Sequence, residues 1–123
     1  MFRQRARATI DAVPAIRREV RSFLRRRGVS DESTLHAIAL ALTEAVANVV
    51  RHAYPGGSGD VEVTAERRAS HVEIQVRDAG VGIQEASAAP GAGYGLQIIR
   101  SEASDCAVHT GGRGTTVDLR FDL

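Results

Sequence analysis

The chain has almost none of the residues that cross-link small domains through disulfides or metal ions. Its 123 residues contain one cysteine, no tryptophan and only 4% aromatic residues. Cys106 alone excludes an internal disulfide and leaves no second cysteine for a zinc site. No apolar run approaches the roughly 18 residues that span a membrane, and the first residues lack the apolar centre of a signal peptide. These absences favour a cytoplasmic protein with no membrane association.

The rest of the composition, 43% apolar and 25% charged, is that of an ordinary globular chain. The length suffices for one core and no linker divides the chain, so residues 1–123 are predicted to form a single domain. The net charge is only +1, yet residues 1–27 contain nine arginines against two acidic residues. This segment is either a docking surface for an acidic partner or a solvated helix face. Few aromatic residues interleave with its arginines, so no direct nucleic-acid binding is predicted.

Hydrophobic periodicity predicts two helices at the start of the chain. The first follows Asp11 and ends at Gly28, and the second runs from Ser30–Asp31 to about His52. Strand-like alternation follows twice, then a Gly-rich loop and a short helix, "LQIIRSEA", and finally two strands, "DCAVHT" and "TTVDLRF". A further strand is predicted at Arg5–Ile10. This order implies an α+β two-layer sandwich, with a mostly antiparallel sheet covered on one face by helices.

The second helix contains the segment "TEAVAN" (Thr43 to Asn48), which places Glu44 and Asn48 four residues apart. At 100° per residue the core stripe is made by Leu35, Ile38, Ala39, Leu42, Val46 and Val49. Glu44 and Asn48 lie on nearly the opposite side, with Arg51 one turn further. Their neighbours there are small or apolar: Ala37, Leu40, Ala41 and Ala47.

That composition indicates a helix wall that something covers, because a solvated face is usually rich in charge. A carboxylate, a carboxamide and a guanidinium in a row supply a base, a metal ligand and a phosphate partner. The alternative is a half-exposed face with incidental polar residues.

Asp78 continues the alternation of the second strand and is expected to point to its core face. A buried carboxylate is costly unless it is hydrogen-bonded. It is followed by Gly80 and Gly82, whose missing Cβ atoms let a ligand or a turn approach the backbone. This arrangement suits recognition of the amino group of a planar base, and the alternative is an aspartate that caps its own turn.

The later segment "GAGYGL" is typical of a phosphate-cradling loop that opens a helix, here at Leu96, where free N–H groups favour an anion. Taken alone, it is as readily a plain turn. Its position in the chain, after "TEAVAN" and "DAGVG" and before "GRGTT", favours the phosphate-cradling loop.

Together these motifs resemble the Bergerat, or histidine-kinase-like, ATP-binding fold shared by gyrase-type topoisomerases, histidine kinases and MutL-like proteins. Within that superfamily the chain is most similar to the small bacterial anti-sigma-factor serine/threonine kinases. "LTEAVANVVRHAY" is the most specific part of the resemblance, and "DAGVGI", "GYGLQIIR" and "GRGTTVDLRF" are further matches.

The resemblance implies a role for each matched residue toward ATP and Mg²⁺. Glu44 would act as general base on a hydroxyl, and Asn48 would coordinate the metal ion. Asp78 would accept the adenine amino group. The remaining implied contacts are with Gly80 and Gly82 beside the nucleotide, Gly93 and Gly95 at the base of a mobile lid, and Thr115 on the adenine side. Arg51 as a phosphate contact is our inference from the helix face.

The function implied is phosphorylation of an anti-sigma antagonist protein on serine or threonine, together with binding of a sigma factor, by a homodimer. One alternative is a non-catalytic module that only captures partners, although such a scaffold has no need for an unpaired carboxylate at Glu44. A second is a detached ATP-binding domain that serves a separate phosphoacceptor-histidine protein. A metabolic enzyme of another α+β class is a further alternative.

Overall fold

One antiparallel sheet and one layer of helices make up the part of the chain that the structure, a computed structural model, describes. It describes residues 1–80, 92–111 and 113–123, with the backbone alone for residues 92–95. The elements are β1 (Phe2–Arg7), α1 (Ala12–Arg26), α2 (Glu32–Asn48), a π-helical turn (Val49–Ala53), β2 (Asp60–Arg67), β3 (His71–Asp78), α3 (Ala92–Glu102), β4 (Asp105–Gly111) and β5 (Gly114–Asp122). The sheet order is β1-β2-β3-β5-β4. The predicted α+β sandwich is confirmed.

Burial alternates along the three central strands, because successive side chains of a strand point to opposite faces. The buried positions of β2 and β3 are Val61, Val63, Ala65, Val72, Ile74 and Val76. Opposite them in the core lie side chains of the helix layer, among them Ile16, Leu24, Leu42 and Ile99. Full burial of a side chain of this size contributes about 1.5–3 kcal/mol relative to exposure.

The first strand lies nearer the N-terminus than predicted. It spans Phe2–Arg7 instead of Arg5–Ile10 and pairs antiparallel with β2. The ring of Phe2 packs on Phe23 of α1 at 5.6 Å between centroids, whereas Ile10 is 78% exposed in the following turn. The aromatic contact is long-range, so the local pattern did not reveal it.

The predicted start of the second helix is confirmed, and so is its approximate end, because the helical segment continues through the π-helical turn to Ala53. The Asp31 carboxylate accepts hydrogen bonds from the Thr34 backbone N–H at 3.1 Å and from its hydroxyl at 2.7 Å. These bonds lower the pKa of Asp31 below its ordinary value of 3.8. The α-helix ends at Asn48, and the π-helical turn carries the chain to Ala53. Asp11 precedes α1 in the same way but makes no side-chain capping bond.

The helix α2 is buried on more than one side. Five of the six predicted core residues are buried and Ala39 is half-buried. Ala41 and Ala45 are buried as well, and α3 packs along α2. Ala41, which the helical wheel placed on the polar wall, therefore belongs to the core.

The stretch Glu32–Ala53, 22 residues of α2 and the π-helical turn, is long and apolar enough to cross a membrane by length and composition. The prediction that no apolar stretch approaches this length is therefore wrong for Glu32–Ala53. Core helices meet the same criterion, and this stretch packs against α1, α3 and the sheet.

The helix α3 begins at Ala92, four residues before the predicted opening at Leu96. Gly93 and Gly95 consequently lie inside the helix instead of in a loop before it. The prediction was wrong because glycine is a poor helix former and its repetition resembles a loop.

Candidate nucleotide-binding site

The polar wall on α2 consists of Glu44, Asn48 and Arg51, and the guanidinium of Arg51 contacts the other two side chains. Arg51 Nη2 donates a hydrogen bond to Asn48 Oδ1 at 3.2 Å and lies 3.8 Å from Glu44 Oε2. The side chain of Glu44 is 26% exposed and that of Arg51 is 51% exposed. The structure therefore brings together the three side chains predicted to form a row. The expectation that Glu44 is unpaired is wrong, because Arg51 is within ion-pair distance.

Arg51 lies in the π-helical turn that continues α2. In this turn the backbone hydrogen bonds run from residue i to i+5, which widens the helix locally, and such turns occur frequently at functional sites. The turn begins directly after Asn48 and contains Arg51 and His52. His52 is half-buried at this helix end, as expected for a packed histidine.

Asp78 lies at the end of β3, on the face that carries Val76, and it is half-buried. In the sheet register it is opposite Val61 of β2 and Thr115 of β5. Its Oδ1 accepts a hydrogen bond from the Gly80 backbone N–H at 2.8 Å. Asp78 therefore faces inward and caps its own turn, while its recognition of a base stays a prediction. Among the described residues, Oδ2 of Asp78 has no hydrogen-bond partner.

Thr115 is 6% exposed, and its hydroxyl forms a hydrogen bond of 3.0 Å with the hydroxyl of Thr110 on β4. Because Thr115 and Asp78 are directly opposite on neighbouring strands, their side chains emerge on the same face of the sheet. Thr115 thus lies beside Asp78, and its contact with adenine stays a prediction.

Two glycines hold the turn after Asp78 by close backbone contacts. A Cβ atom on Gly80 would overlap the carbonyl group of Ala53, at the end of the π-helical turn. A Cβ atom on Gly114, whose φ is +126°, would overlap the carbonyl oxygen of Asp78. The space that Gly80 leaves free is therefore taken by protein backbone, and its role beside a nucleotide stays a prediction.

The sequence patterns did not predict the hydrogen bonds of Tyr54, the residue after the π-helical turn. Its hydroxyl accepts a hydrogen bond from the Ala79 backbone N–H at 3.0 Å and donates one to the Asp60 carbonyl at 2.6 Å. It also lines a cavity of about 380 Å³ that borders Asp78 and Ala79. No periodic pattern reports such bonds, because Ala79 is 25 residues away in the chain.

Three of the other predicted residues are placed as follows. Gly93 and Gly95 lie in the first turns of α3, and Leu96 follows them, half-buried. Gly82 lies outside the described residues. The described site therefore consists of the α2 wall and the turn after β3, which meet where Ala53 contacts Gly80.

The donor groups of this site fit a magnesium–nucleotide complex. Mg²⁺ prefers oxygen ligands and is usually held by one or two side chains together with substrate phosphates. Asn48 and Glu44 supply amide and carboxylate oxygens, and Arg51 supplies a guanidinium that matches phosphate geometry. Among the residues that the structure describes, no three histidine, cysteine or acidic residues form a metal cluster. The protein therefore offers side chains for sharing an ion with a phosphate ligand rather than a complete cage.

Comparison with known proteins identifies the class to which this geometry belongs. Residues 6–121 match the model of the histidine kinase-like ATPase domain. The chain belongs to that family, which confirms the resemblance inferred from its motifs.

Individual relatives fall into two groups. The RsbU and RsbW domains of Rv1364c from Mycobacterium tuberculosis superpose with a TM-score of 0.76 at 28% identity, covering 98% of this chain and 32% of that one. The histidine kinase domain of a blue-light-activated histidine kinase from Erythrobacter litoralis superposes with a TM-score of 0.64 at 28% identity, covering 74% of this chain and 45% of that one. The sensor histidine kinase PdtaS of M. tuberculosis is 34% identical over 80 residues, which are 63% of this chain and 16% of the kinase.

Proposed function

We propose that this chain is a cytoplasmic, Mg²⁺- and ATP-dependent protein serine/threonine kinase that acts as an anti-sigma factor. Its proposed partners are an anti-sigma antagonist, which carries the acceptor hydroxyl, and a sigma factor, and its proposed active form is a homodimer. The observation that carries the catalytic part is the contact of Arg51 with both Glu44 and Asn48. It gathers a base, a metal ligand and a phosphate partner on one helix face.

In this proposal each side chain has a separate task. Bound Mg²⁺–ATP supplies the phosphoryl group. Asn48 would hold the metal ion, and Glu44 would accept or orient the proton of the acceptor hydroxyl. Arg51, which contacts both side chains, would supply its guanidinium to the phosphate oxygens. Phosphoryl transfer depends mainly on positioning and charge neutralisation, so this equipment is sufficient.

Similarity to the RsbW-containing structure over 98% of this chain supports the anti-sigma type of kinase. The identity of 34% to PdtaS favours the second candidate, an ATP-binding domain that serves a phosphoacceptor histidine. The two candidates differ in the chemistry of the product. A phosphate on serine or threonine survives acid, whereas one on histidine is lost.

The proposal is tested by calorimetric titration with ATP, with and without Mg²⁺. The unmodified chain is expected to bind ATP in a Mg²⁺-dependent manner. Asn48→Ala should weaken Mg²⁺-dependent binding by roughly 10–100-fold, as expected for loss of a polar group that contacts a charged ligand. Glu44→Gln should retain ATP binding and lose phosphotransfer. Unchanged Mg²⁺-dependent affinity in Asn48→Ala would remove Asn48 from the metal role, and full transfer by Glu44→Gln would remove Glu44 from catalysis.

A further inference from the structure

The hydroxyl of Tyr54 connects three segments that are distant in the chain. Tyr54 directly follows the π-helical turn, Ala79 directly follows Asp78, and Asp60 begins β2. The hydroxyl accepts from the Ala79 N–H and donates to the Asp60 carbonyl, so both its donor and its acceptor capacity are used. A hydroxyl that makes both hydrogen bonds has one orientation. It therefore fixes the distance between the Ala79 N–H and the Asp60 carbonyl.

The ring of Tyr54 is held as firmly as its hydroxyl. A Cβ atom at Gly59 would overlap the aromatic ring, so the backbone of Gly59 lies directly against it. On the other side of the turn, Gly80 lies against Ala53, the neighbour of Tyr54. The backbone between Asp78 and Gly80 is therefore fixed at Ala79 by the tyrosine hydroxyl and at Gly80 by the carbonyl of Ala53.

The orientation of the Asp78 carboxylate depends on this turn. Its Oδ1 accepts from the Gly80 N–H, so a displacement of Ala79 or Gly80 would rotate the carboxylate. An ionised carboxylate only accepts hydrogen bonds. The Asp78 carboxylate therefore favours a base that presents an amino group to it, as adenine does. It disfavours a base that presents a carbonyl oxygen at the same position, as hypoxanthine does.

We infer that Tyr54 is a positioning residue for base selectivity: by holding the Ala79 amide, its hydroxyl aims Asp78 at the amino group of an adenine nucleotide. This inference rests on the proposed function, because it assumes that the site binds ATP. A residue with only a structural role would affect all nucleotides alike. A positioning residue changes the ratio of the affinities for ATP and inosine triphosphate.

The test compares this ratio in the unmodified chain, in Tyr54→Phe and in Ser104→Ala, by calorimetric titration with each nucleotide in the presence of Mg²⁺. Tyr54→Phe keeps the ring against Gly59 and removes only the hydroxyl. Ser104→Ala is the matched control, because the Ser104 hydroxyl also accepts a backbone N–H, that of Asp122 at 2.8 Å, at the far end of β5. The loss of one orienting hydrogen bond is expected to lower the ratio about five-fold in Tyr54→Phe, and Ser104→Ala is expected to leave it unchanged.

Each outcome decides the question. A ratio in Tyr54→Phe equal to that of the unmodified chain overturns the inference, even if both affinities fall together. If the unmodified chain binds neither nucleotide, the proposed function is overturned and this inference with it. If it binds both equally, Asp78 does not read the amino group and the inference fails while nucleotide binding stands.

A second measurement needs no variant and applies if Tyr54→Phe does not fold. Hydrogen exchange of the Ala79 amide in the unmodified chain should be slow, and ATP should slow it further than inosine triphosphate does. Exchange at the rate of a solvated turn, or equal protection by both nucleotides, contradicts the inference.

Discussion

Gly80 and Gly114 are glycines because protein backbone occupies the place of a side chain at both positions. At Gly80 the neighbour is the carbonyl of Ala53, and at Gly114 it is the carbonyl of Asp78. The motif "DAGVG" indicated that a ligand or a turn approaches the backbone closely, and for Gly80 the structure shows the turn. A glycine in a nucleotide-binding motif can therefore serve the architecture of the site without touching the nucleotide.

Gly80→Ala is expected to lower the free energy of unfolding by about 1–3 kcal/mol, because the added methyl group must displace the Ala53 backbone. Gly57→Ala is the control, since nothing lies within 4 Å of its Cβ position. Urea denaturation of both variants measures the difference. Equal stability of the two variants would show that the contact between Gly80 and Ala53 is looser than described.

At the level of elements, the period-2 and period-3.6 patterns predicted the order of helices and strands because each depends on local geometry. They did not predict features that depend on a local change of helix type or on contacts between distant segments. The helical wheel aligned Glu44, Asn48 and Arg51 correctly, but it predicted neither the π-helical turn nor the 3.8 Å distance between Arg51 and Glu44, which depends on side-chain conformation. The hydroxyl of Tyr54 was missed because its partners come from two other segments.

The cap of α2 provides an element-scale prediction. Asp31→Ala removes the acceptor of both Thr34 hydrogen bonds and is expected to lower the midpoint of thermal unfolding at neutral pH. Because these bonds lower the pKa of folded Asp31, the stabilisation is present above its ordinary value of 3.8 and is lost as pH falls through the lowered folded value. The difference between Asp31→Ala and the unmodified chain should therefore shrink in that acidic range.

Asp11→Ala is the matched control for this cap. Asp11 also precedes a helix by one residue, yet its side chain makes no capping bond. Its replacement should change the thermal midpoint at neutral pH less than Asp31→Ala does, because no capping bond is lost. A pH-independent difference for Asp31→Ala would contradict the role of its ionised carboxylate.

At the scale of the whole molecule, the basic N-terminal segment is joined to the rest of the chain. Arg5 and Arg7 are near the carboxylate of Asp60, and Arg21 and Arg25 pair with Glu32. These pairs are exposed, and each contributes roughly 0–1 kcal/mol. The core provides the stronger connection, because β1 pairs with β2 and buried residues of α1 belong to the same cluster as those of the sheet.

This shared core predicts that residues 1–123 unfold as one cooperative unit. Urea denaturation followed by far-UV circular dichroism and by hydrogen exchange of β1 amides should give coincident transitions. High salt, which screens the exposed ion pairs, should not separate them. A transition of β1 and α1 at lower urea than the rest would show that the basic segment is a separate unit.

The π-helical turn at Val49–Ala53 also fixes the number of residues that can separate Asn48 from Tyr54. Five residues of the turn separate Asn48 from Tyr54, so removing one of them would shift Ala53 and Tyr54 relative to α2. The contact of Ala53 with Gly80 and the hydrogen bonds of Tyr54 to Asp60 and Ala79 both depend on that spacing. Substitutions within this turn can be absorbed by repacking, whereas a single-residue deletion changes the spacing between the Asn48 side chain and the turn after Asp78. We therefore expect the number of residues between Asn48 and Tyr54 to be under stricter selection than their identity.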